Sequence, residues 1–299
     1  MVQKRVLGID IGGTKVAVGV VALPSLELIA STRADAPAHQ GGAAVYQTAL
    51  DLCRKLPQIE QVQSIGVCYG GQVLDNHVLR SNQVSGWDDF PLEQRLQADL
   101  APLPVRIFND ANAIAWLEWT QRAGNHLRSL FYVTVSTGIG GGLVLDGRVY
   151  EGRSGLSAEI GHIMLEPDGV RCVCGRRGCL EALAAGPAIS QAYTALTGVD
   201  VSAKEIARRA AEGDAAAVRV LREGGTRVGR ALAIMNILLD VDCVVLGGGV
   251  SRSGSLWWNA VLERLHADAP RWSTPPTVEA STFGELEGVL AGAAIWLAG

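Results

Sequence analysis

Two segments of this chain repeat one local plan, and the repeat constrains the fold more than any other feature. The apolar run Val6–Asp10 ends at Ile11-Gly12-Gly13-Thr14 and passes at once into Lys15–Leu23. The run Leu130–Val135 ends at Ser136-Thr137-Gly138-Ile139-Gly140-Gly141-Gly142 and passes at once into Leu143–Leu145. Runs this short and this closely joined read as strands of hairpins turned by glycine. A chain of 299 residues has room for about two domains, and the echo predicts two of one plan.

The first half continues in the same grammar. A third strand is expected over Leu26–Arg33 and a helix over Ala43–Leu56, with Val45, Ala49, Leu52 and Leu56 on one face. A strand at Ser64–Tyr69, a helix near Pro91–Leu100 and a strand at Val105–Phe108 follow. The second half adds a helix over Ala111–Trp119 and a short strand at Arg148–Tyr150 after the Asp146-Gly147 turn. The stretch 152–178 is irregular. Helices are then expected over Leu180–Ala185, Ala188–Leu196, Ala203–Glu212, Ala215–Leu239, Leu256–Asp268 and Glu287–Leu297, with a strand at Cys243–Leu246. No Pro/Ser/Gly-rich linker parts the halves, so a cleft between packed domains is expected.

Glycine occupies 36 positions without a collagen-like period, so it marks turns and close approaches. Three glycine-rich turns follow strands, after Asp10, Ser136 and Leu246. Their backbone N–H groups can receive a phosphate, and each alone is also an ordinary tight turn. No GxxxxGK[ST] loop occurs, because none of the four lysines follows a glycine. No GxGxxG occurs either, since Arg252 stands where Gly247 and Gly249 would need a third glycine. A net charge of −4 with no basic block argues against nucleic-acid binding. No apolar run reaches the roughly 20 residues of a membrane span, and Asp10 and Lys15 break any signal-peptide core. A soluble, cytoplasmic protein is expected.

The candidate chemistry lies in five places. Asp10 can hold Mg²⁺ beside phosphates or serve as an Asx-turn residue. Asp110, after Asn109 at a strand end, can act as a general base or as a helix N-cap. Cys172, Cys174 and Cys179 share a glycine-turned loop, with His162 ten residues upstream. Three sulfurs and one nitrogen make a closed tetrahedral zinc set; reduced thiols and an iron–sulfur site are the alternatives, and the lack of a fourth nearby cysteine favours structural zinc. Glu159 and Glu181 flank that set and suit vicinal hydroxyls of a sugar. Asn82 can donate to and accept from sugar hydroxyls, whereas Trp87 reads as a packing anchor more than a stacking platform. The other six tryptophans read as core or subunit contact. Cys53, Cys68 and Cys243 read as core thiols.

The motifs Asp10-Ile-Gly-Gly-Thr-Lys15, Asn109-Asp110-Ala-Asn112, Ser136-Thr-Gly-Ile-Gly-Gly-Gly142, Glu159-Ile-Gly-His162 and Cys172-Val-Cys-Gly-Arg-Arg-Gly-Cys-Leu-Glu181, in this order, resemble the ROK family of sugar kinases and repressors. The resemblance implies an actin-like, hexokinase-type (ribonuclease H-like) α/β fold of two βββαβα domains around a cleft. It places residues 1–110 with the terminal helix 287–299 in one domain and 111–286 in the other. It implies ATP, Mg²⁺ and zinc on His162, Cys172, Cys174 and Cys179, with Asp110 as catalytic base. Asn82, Asn109, Glu159, His162 and Glu181 become sugar contacts. Asp10, Gly12, Gly13, Thr14, Lys15, Thr137, Gly138, Gly247, Gly248 and Gly249 become nucleotide contacts.

The run Cys-x-Cys-Gly-x-x-Gly-Cys-Leu-Glu-Ala-Leu-Ala-Ala-Gly186 resembles bacterial glucokinases most. Phosphorylation of a hexose at its 6-hydroxyl, foremost glucose, is therefore expected, with fructose, mannose, allose, N-acetylglucosamine and N-acetylmannosamine as alternatives. A departure lies at Tyr69-Gly70-Gly71-Gln72, where many relatives carry Thr-Pro-Gly-Pro; it bears on which hexose is taken. A ROK repressor would need a winged-helix segment before the first strand, and a silent sugar sensor should lose Asp110. A homodimer or higher homo-oligomer is the assembly the family suggests.

Overall fold

Strand β1 (Lys4–Ile11) pairs antiparallel with β2 (Lys15–Leu23), from Lys4 opposite Leu23 to Ile11 opposite Val16. The structure, a computed structural model, describes residues 3–81, 84–122, 126–284 and 286–297. β3 (Glu27–Asp35) continues the meander beside β2. β4 (Ser64–Tyr69) lies parallel to β1, and β7 (Val105–Asn109) lies parallel to β4. The sheet order is β3-β2-β1-β4-β7.

Its two faces follow the period-two alternation of the strands. Leu7, Ile9 and Ile11 join a core with Val45, Ala49 and Leu50 of α1 (Gly42–Arg54) and Leu92 and Leu96 of α2 (Leu92–Asp99). Val6, Ala17 and Val21 face the other way, onto Val289 and Ala293 of α9 (Glu287–Ala294). There glycine lets main chain meet main chain. A Cβ on Gly8 would lie 2.1 Å from the Val289 carbonyl oxygen, and one on Gly66 would lie 1.9 Å from that of Gly292.

The second sheet has the order β10-β9-β8-β11-β12. Its strands are β8 (Ser129–Val135), β9 (Ile139–Leu145), β10 (Arg148–Val149), β11 (Cys243–Gly247) and β12 (Thr277–Ala280). β11 runs parallel to both β8 and β12. Counting strands within each half, leaving out a small hairpin, both sheets read third, second, first, fourth, fifth. The repeated plan is thus present as topology. Helices α4 (Leu180–Ala184), α5 (Gly186–Thr197), α6 (Ala203–Ala211), α7 (Ala215–Leu239) and α8 (Ser255–Asp268) complete this half. Asp214 caps α7 by accepting from the N–H groups of Ala216 and Ala217.

The chain divides into two compact units, 1–126 with 143–157 and 282–299, and 127–142 with 158–281. The division differs from one drawn at Asp110. Residues 111–126 join the first unit because α3 (Asp110–Arg122) packs on α9, where the Trp116 indole donates to the Ala294 carbonyl at 2.8 Å.

Three local expectations change. Residues 139–142 are strand rather than turn. β5 (Gln72–Leu74) and β6 (His77–Arg80) form a hairpin in a stretch where no element is expected, turned at Asp75-Asn76, both with positive φ. β12 forms in a polar stretch where no strand is expected. Cys53, Cys68 and Cys243 are buried as expected, but Trp272 is 81% exposed.

Asp242 ties the starts of β8 and β11. Its Oδ2 accepts from the N–H groups of Arg128 and Ser129 and from the Ser129 hydroxyl, at 2.8–2.9 Å. Burial alone would raise its pKa, but these donors outweigh it and hold the carboxyl below its usual value. Asp242→Ala is expected to destabilise the protein by about 1 kcal/mol at pH 7, the low end for three bonds because water screens the group. A depressed carboxylate pKa stabilises above the unfolded value and loses that effect as pH falls through the folded one. Urea denaturation should therefore show the gap between wild type and variant closing below about pH 4.

Candidate active site and metal centre

In the first unit, the β1–β2 turn and the β7–α3 junction carry the acids. Gly12 N–H donates to the Lys15 carbonyl at 3.0 Å, and Gly70 N–H donates to that of Ile11 at 2.8 Å. A Cβ on Gly70 would lie 3.2 Å from the Ile11 oxygen and 3.4 Å from the Gly12 Cα, so β4 ends directly against the turn. The Asp10 carboxylate pairs with Lys15 Nζ at 3.2 Å. Burial raises its pKa, and Lys15 pulls it back down. It sits on the first turn of α9, where a Cβ on Gly288 would be 2.4 Å from Asp10 Cγ.

Asn109 and Asp110 have different jobs. Asn109 Oδ1 accepts from Asn112 N–H at 3.1 Å, so Asn109 makes the i→i+3 cap bond of α3 and Asp110 is the first helical residue. The Asn109 amide also donates to the Gly71 carbonyl at 3.0 Å and to Asp110 Oδ1 at 2.9 Å. Ala111 N–H donates to the same Oδ1 at 2.8 Å. Asp110 Oδ2 lies on the Gly70 side, 3.8 Å from where a Cβ on Gly70 would be. Oδ1 of the carboxylate is therefore fixed at the N-terminus of α3 by two donors. Asn82 lies outside the described residues. Trp87 is buried against Tyr69 and Phe90, with ring centroids 5.1 and 4.7 Å away, which makes it the packing anchor expected.

In the second unit, the turn after β8 is closed by Ser136 N–H on the Gly138 carbonyl at 2.9 Å. Gly186 N–H, at the start of α5, donates to the Ser136 carbonyl at 2.8 Å. Gly248, with φ of +85°, stacks its backbone on Val135, a position closed to any side chain. Thr137, Gly186, Ser190, Lys204, Gly249 and Arg252 help line a cavity of about 780 Å³. Thr137 and Gly249 were expected at such a site. Lys204 and Arg252 were not, because a lone cation on a polar helix or loop leaves no sequence pattern.

The same unit brings the four expected metal ligands together. The donor atoms of His162, Cys172, Cys174 and Cys179 lie within 4.8 Å of one another. His162 Nδ1 is 3.7 Å from Cys172 Sγ, and Cys174 Sγ is 3.6 Å from Cys179 Sγ. Tetrahedral zinc, with bonds of about 2.3 Å to sulfur and about 2.0 Å to nitrogen, needs ligand spacings of roughly 3.5–3.8 Å. The donor chemistry agrees. The backbone N–H of Arg176 holds the Cys174 thiol down to about 6, while burial pushes Cys172 up and Cys179 up to about 12. A cation bound among the three sulfurs would favour their thiolate forms, the forms that ligate metal. The imidazole as fourth donor fits zinc rather than an all-cysteine cluster.

The other imidazole nitrogen of His162, Nε2, lies 3.9 Å from a Glu159 carboxylate oxygen. A metal on Nδ1 leaves Nε2–H as a donor. Glu181, two residues after Cys179, accepts from Ile139 N–H at 2.9 Å. Gly138 is thereby packed against Glu181: a Cβ there would lie 2.6 Å from Glu181 Oε2.

Two sheets of one strand order, opened by glycine turns, define an α/β protein of the actin-like, hexokinase type. The ROK family model matches residues 6–299, and the chain belongs to the ROK family. The N-acetylmannosamine kinase of Yersinia pestis (strain Pestoides F) is 37% identical over 246 residues, 82% of each chain. The ROK hexokinase of Thermus thermophilus superposes with a TM-score of 0.84 at 34% identity, covering 98% of both chains. A ROK glucokinase from Streptomyces griseus, solved with glucose and AMPPNP, gives a TM-score of 0.85 at 29% identity over 97% of this chain and 98% of its own.

The donor set predicts about one zinc per chain by elemental analysis, and Cys174→Ser is expected to lower that content at least tenfold. Full metal content in the variant would remove Cys174 from the ligand set.

Proposed function

We propose that this protein transfers the γ-phosphoryl group of ATP to the 6-hydroxyl of a hexose. The observation that carries the reading is the Asp110 carboxylate, fixed through Oδ1 at the head of α3 with Oδ2 toward the Gly70 side. A sugar kinase needs a placed proton acceptor more than covalent chemistry. In the reaction, O6 gives its proton to Asp110 as the O6–phosphorus bond forms. The bond from phosphorus to the bridging oxygen breaks, and ADP leaves.

The remaining roles follow by residue. Asp10, paired with Lys15, would hold Mg²⁺, which when bound supplies positive charge beside the phosphates. Gly12, Gly13, Thr14, Thr137, Gly138 and the 247–249 turn would receive phosphate and nucleotide through N–H and hydroxyl groups. Glu159, His162 and Glu181 would hold sugar hydroxyls, with zinc on Nδ1 and the three thiolates keeping that loop in shape. Asn109 has its amide N–H groups on Gly71 and Asp110, so its part is to orient the base. Asn82 remains a proposed sugar contact. We read the protein as a cytoplasmic homo-oligomer acting on free sugar, with neither nucleic acid nor membrane as partner.

Glucose is the leading substrate, from the motif run ending at Gly186. N-acetylmannosamine is the second reading, favoured by the 37% identical relatives. Coupled ADP-release assays over a sugar panel are expected to give glucose the highest kcat/KM. A higher value for N-acetylmannosamine would move the protein to the second reading, and no turnover with any hexose would overturn both. Asp110→Asn is expected to cut kcat by roughly 10²–10⁴-fold while sugar affinity, measured by calorimetry, stays within a few-fold. Near-full kcat would remove Asp110 from the mechanism.

A further inference from the structure

The loop that carries the metal ligands also grips the turn assigned to the nucleotide. Ile139 follows Thr137-Gly138 directly, and it is held at both ends of its peptide. Its N–H donates to Glu181 Oε2 at 2.9 Å. Its carbonyl oxygen lies 1.9 Å from where a Cβ on Gly161 would stand, so Gly161 packs its backbone straight onto it. Gly161 precedes the ligand His162, and Glu181 comes two residues after the ligand Cys179. Leu180 N–H donates to the Ile163 carbonyl at 2.9 Å, and Met164 pairs with Cys179 across a β-bridge, so the two gripping segments are tied to each other beside the donor cluster.

The geometry points to Glu181 as a positioning residue for the nucleotide turn, through which the Cys₃His centre sets the shape of 136–139. This inference rests on the kinase reading, which assigns Thr137 and Gly138 to the nucleotide and Glu181 to the sugar, and it adds a link between the two. One carboxylate oxygen holds the turn. The other, Oε1, makes no protein hydrogen bond among the described residues and is the one left for a sugar hydroxyl. Gly138 belongs to the same device: its backbone conformation admits alanine, but a methyl there would displace Oε2 from 2.6 Å. A carboxylate held between a nucleotide turn and a sugar would make each ligand's binding depend on the other.

The test is calorimetric titration of AMPPNP into sugar-free protein. Glu181→Ala is expected to weaken binding about tenfold, the effect of losing one charge-assisted hydrogen bond. Glu181→Gln keeps an acceptor for Ile139 N–H and should stay within about threefold of wild type. Gly138→Ala should resemble Glu181→Ala, and the double variant should be no weaker than either, since both act through one contact. Zinc-stripped protein should show the same loss, restored by one equivalent of zinc.

Unchanged AMPPNP affinity in Glu181→Ala would overturn the inference and leave the kinase reading standing. So would additive losses in the double variant, which would mean that the Gly138 methyl meets the nucleotide directly. If Glu181→Ala fails to fold, as circular dichroism would reveal, unchanged affinity in Gly138→Ala is enough to overturn it. Wild-type protein with no affinity for AMPPNP would overturn the kinase reading itself.

Discussion

The contact on which the first unit depends is main chain against main chain. The carbonyls of Val289 and Gly292 lie where β-carbons of Gly8 and Gly66 would be, which seats α9 on β1 and β4 with no side chain between. Such a contact has no rotamers to adjust, so it fixes the helix more tightly than side-chain interdigitation does. Two acids take their positions from it. Asp10 rests on Gly288 in the first turn of α9, and Trp116, six residues into the helix that Asp110 begins, bonds to Ala294 near its end. The second unit uses the same device where α7 meets α8: β-carbons on Gly225 and Gly229 would lie 2.5 and 2.2 Å from the carbonyl oxygens of Trp257 and Val261.

On these rigid contacts the polar groups divide their labour. Asn109 and Asp110 are neighbours in sequence, yet the amide is consumed in capping α3 and in holding Gly71 and Asp110, while the carboxylate takes those donors on Oδ1 and has Oδ2 on the Gly70 side. The Asn109 amide and the Ala111 N–H both donate to Asp110 Oδ1, which fixes that oxygen at the head of α3. Asp10 is a different case: burial raises its pKa, and the paired Lys15 ammonium opposes that rise. A buried acid with a single ammonium partner has much to gain from a second cation, whereas Asp110 is already compensated by fixed donors.

Much of this was legible in the sequence. β2, β4 and α7 have the bounds their patterns predicted, because each is a clean apolar run or a long 3.6-residue period between strong stops. The gathering of His162, Cys172, Cys174 and Cys179 at one point was legible because their donor types and spacing admit few other uses. The β5–β6 hairpin was not, since its strands of three and four residues carry too few apolar positions to show a period, and the left-handed Asp75-Asn76 turn needs no glycine. The capping role of Asn109 was hidden behind Asp110, because both residue types suit an N-cap and only the backbone decides which one sits outside the helix. The packing of Gly138 on Glu181 and of Gly161 on Ile139 was out of reach for the same reason. Each is an encounter between segments far apart in the chain, and a glycine in sequence does not say whether it turns the backbone or admits a neighbour.

Two sheets of one strand order nonetheless carry two different turns. Both halves place a glycine turn between the first two strands of a sheet of one order, so the scaffold offers two like positions for an anion. The first turn is built from Asp10 and Lys15, a charged pair in which a buried carboxylate faces the ammonium. The second is built from Ser136 and Thr137, neutral groups, and its stiffness comes from Gly186, Gly161 and Glu181 instead. A turn that contains an acid attracts a cation, and a neutral turn of N–H and hydroxyl groups suits an anion. With a net charge of −4, the chain gains little anion attraction from its overall field, so the difference must be made locally, by two side chains in one half and by the loop that gathers His162 and three cysteines in the other.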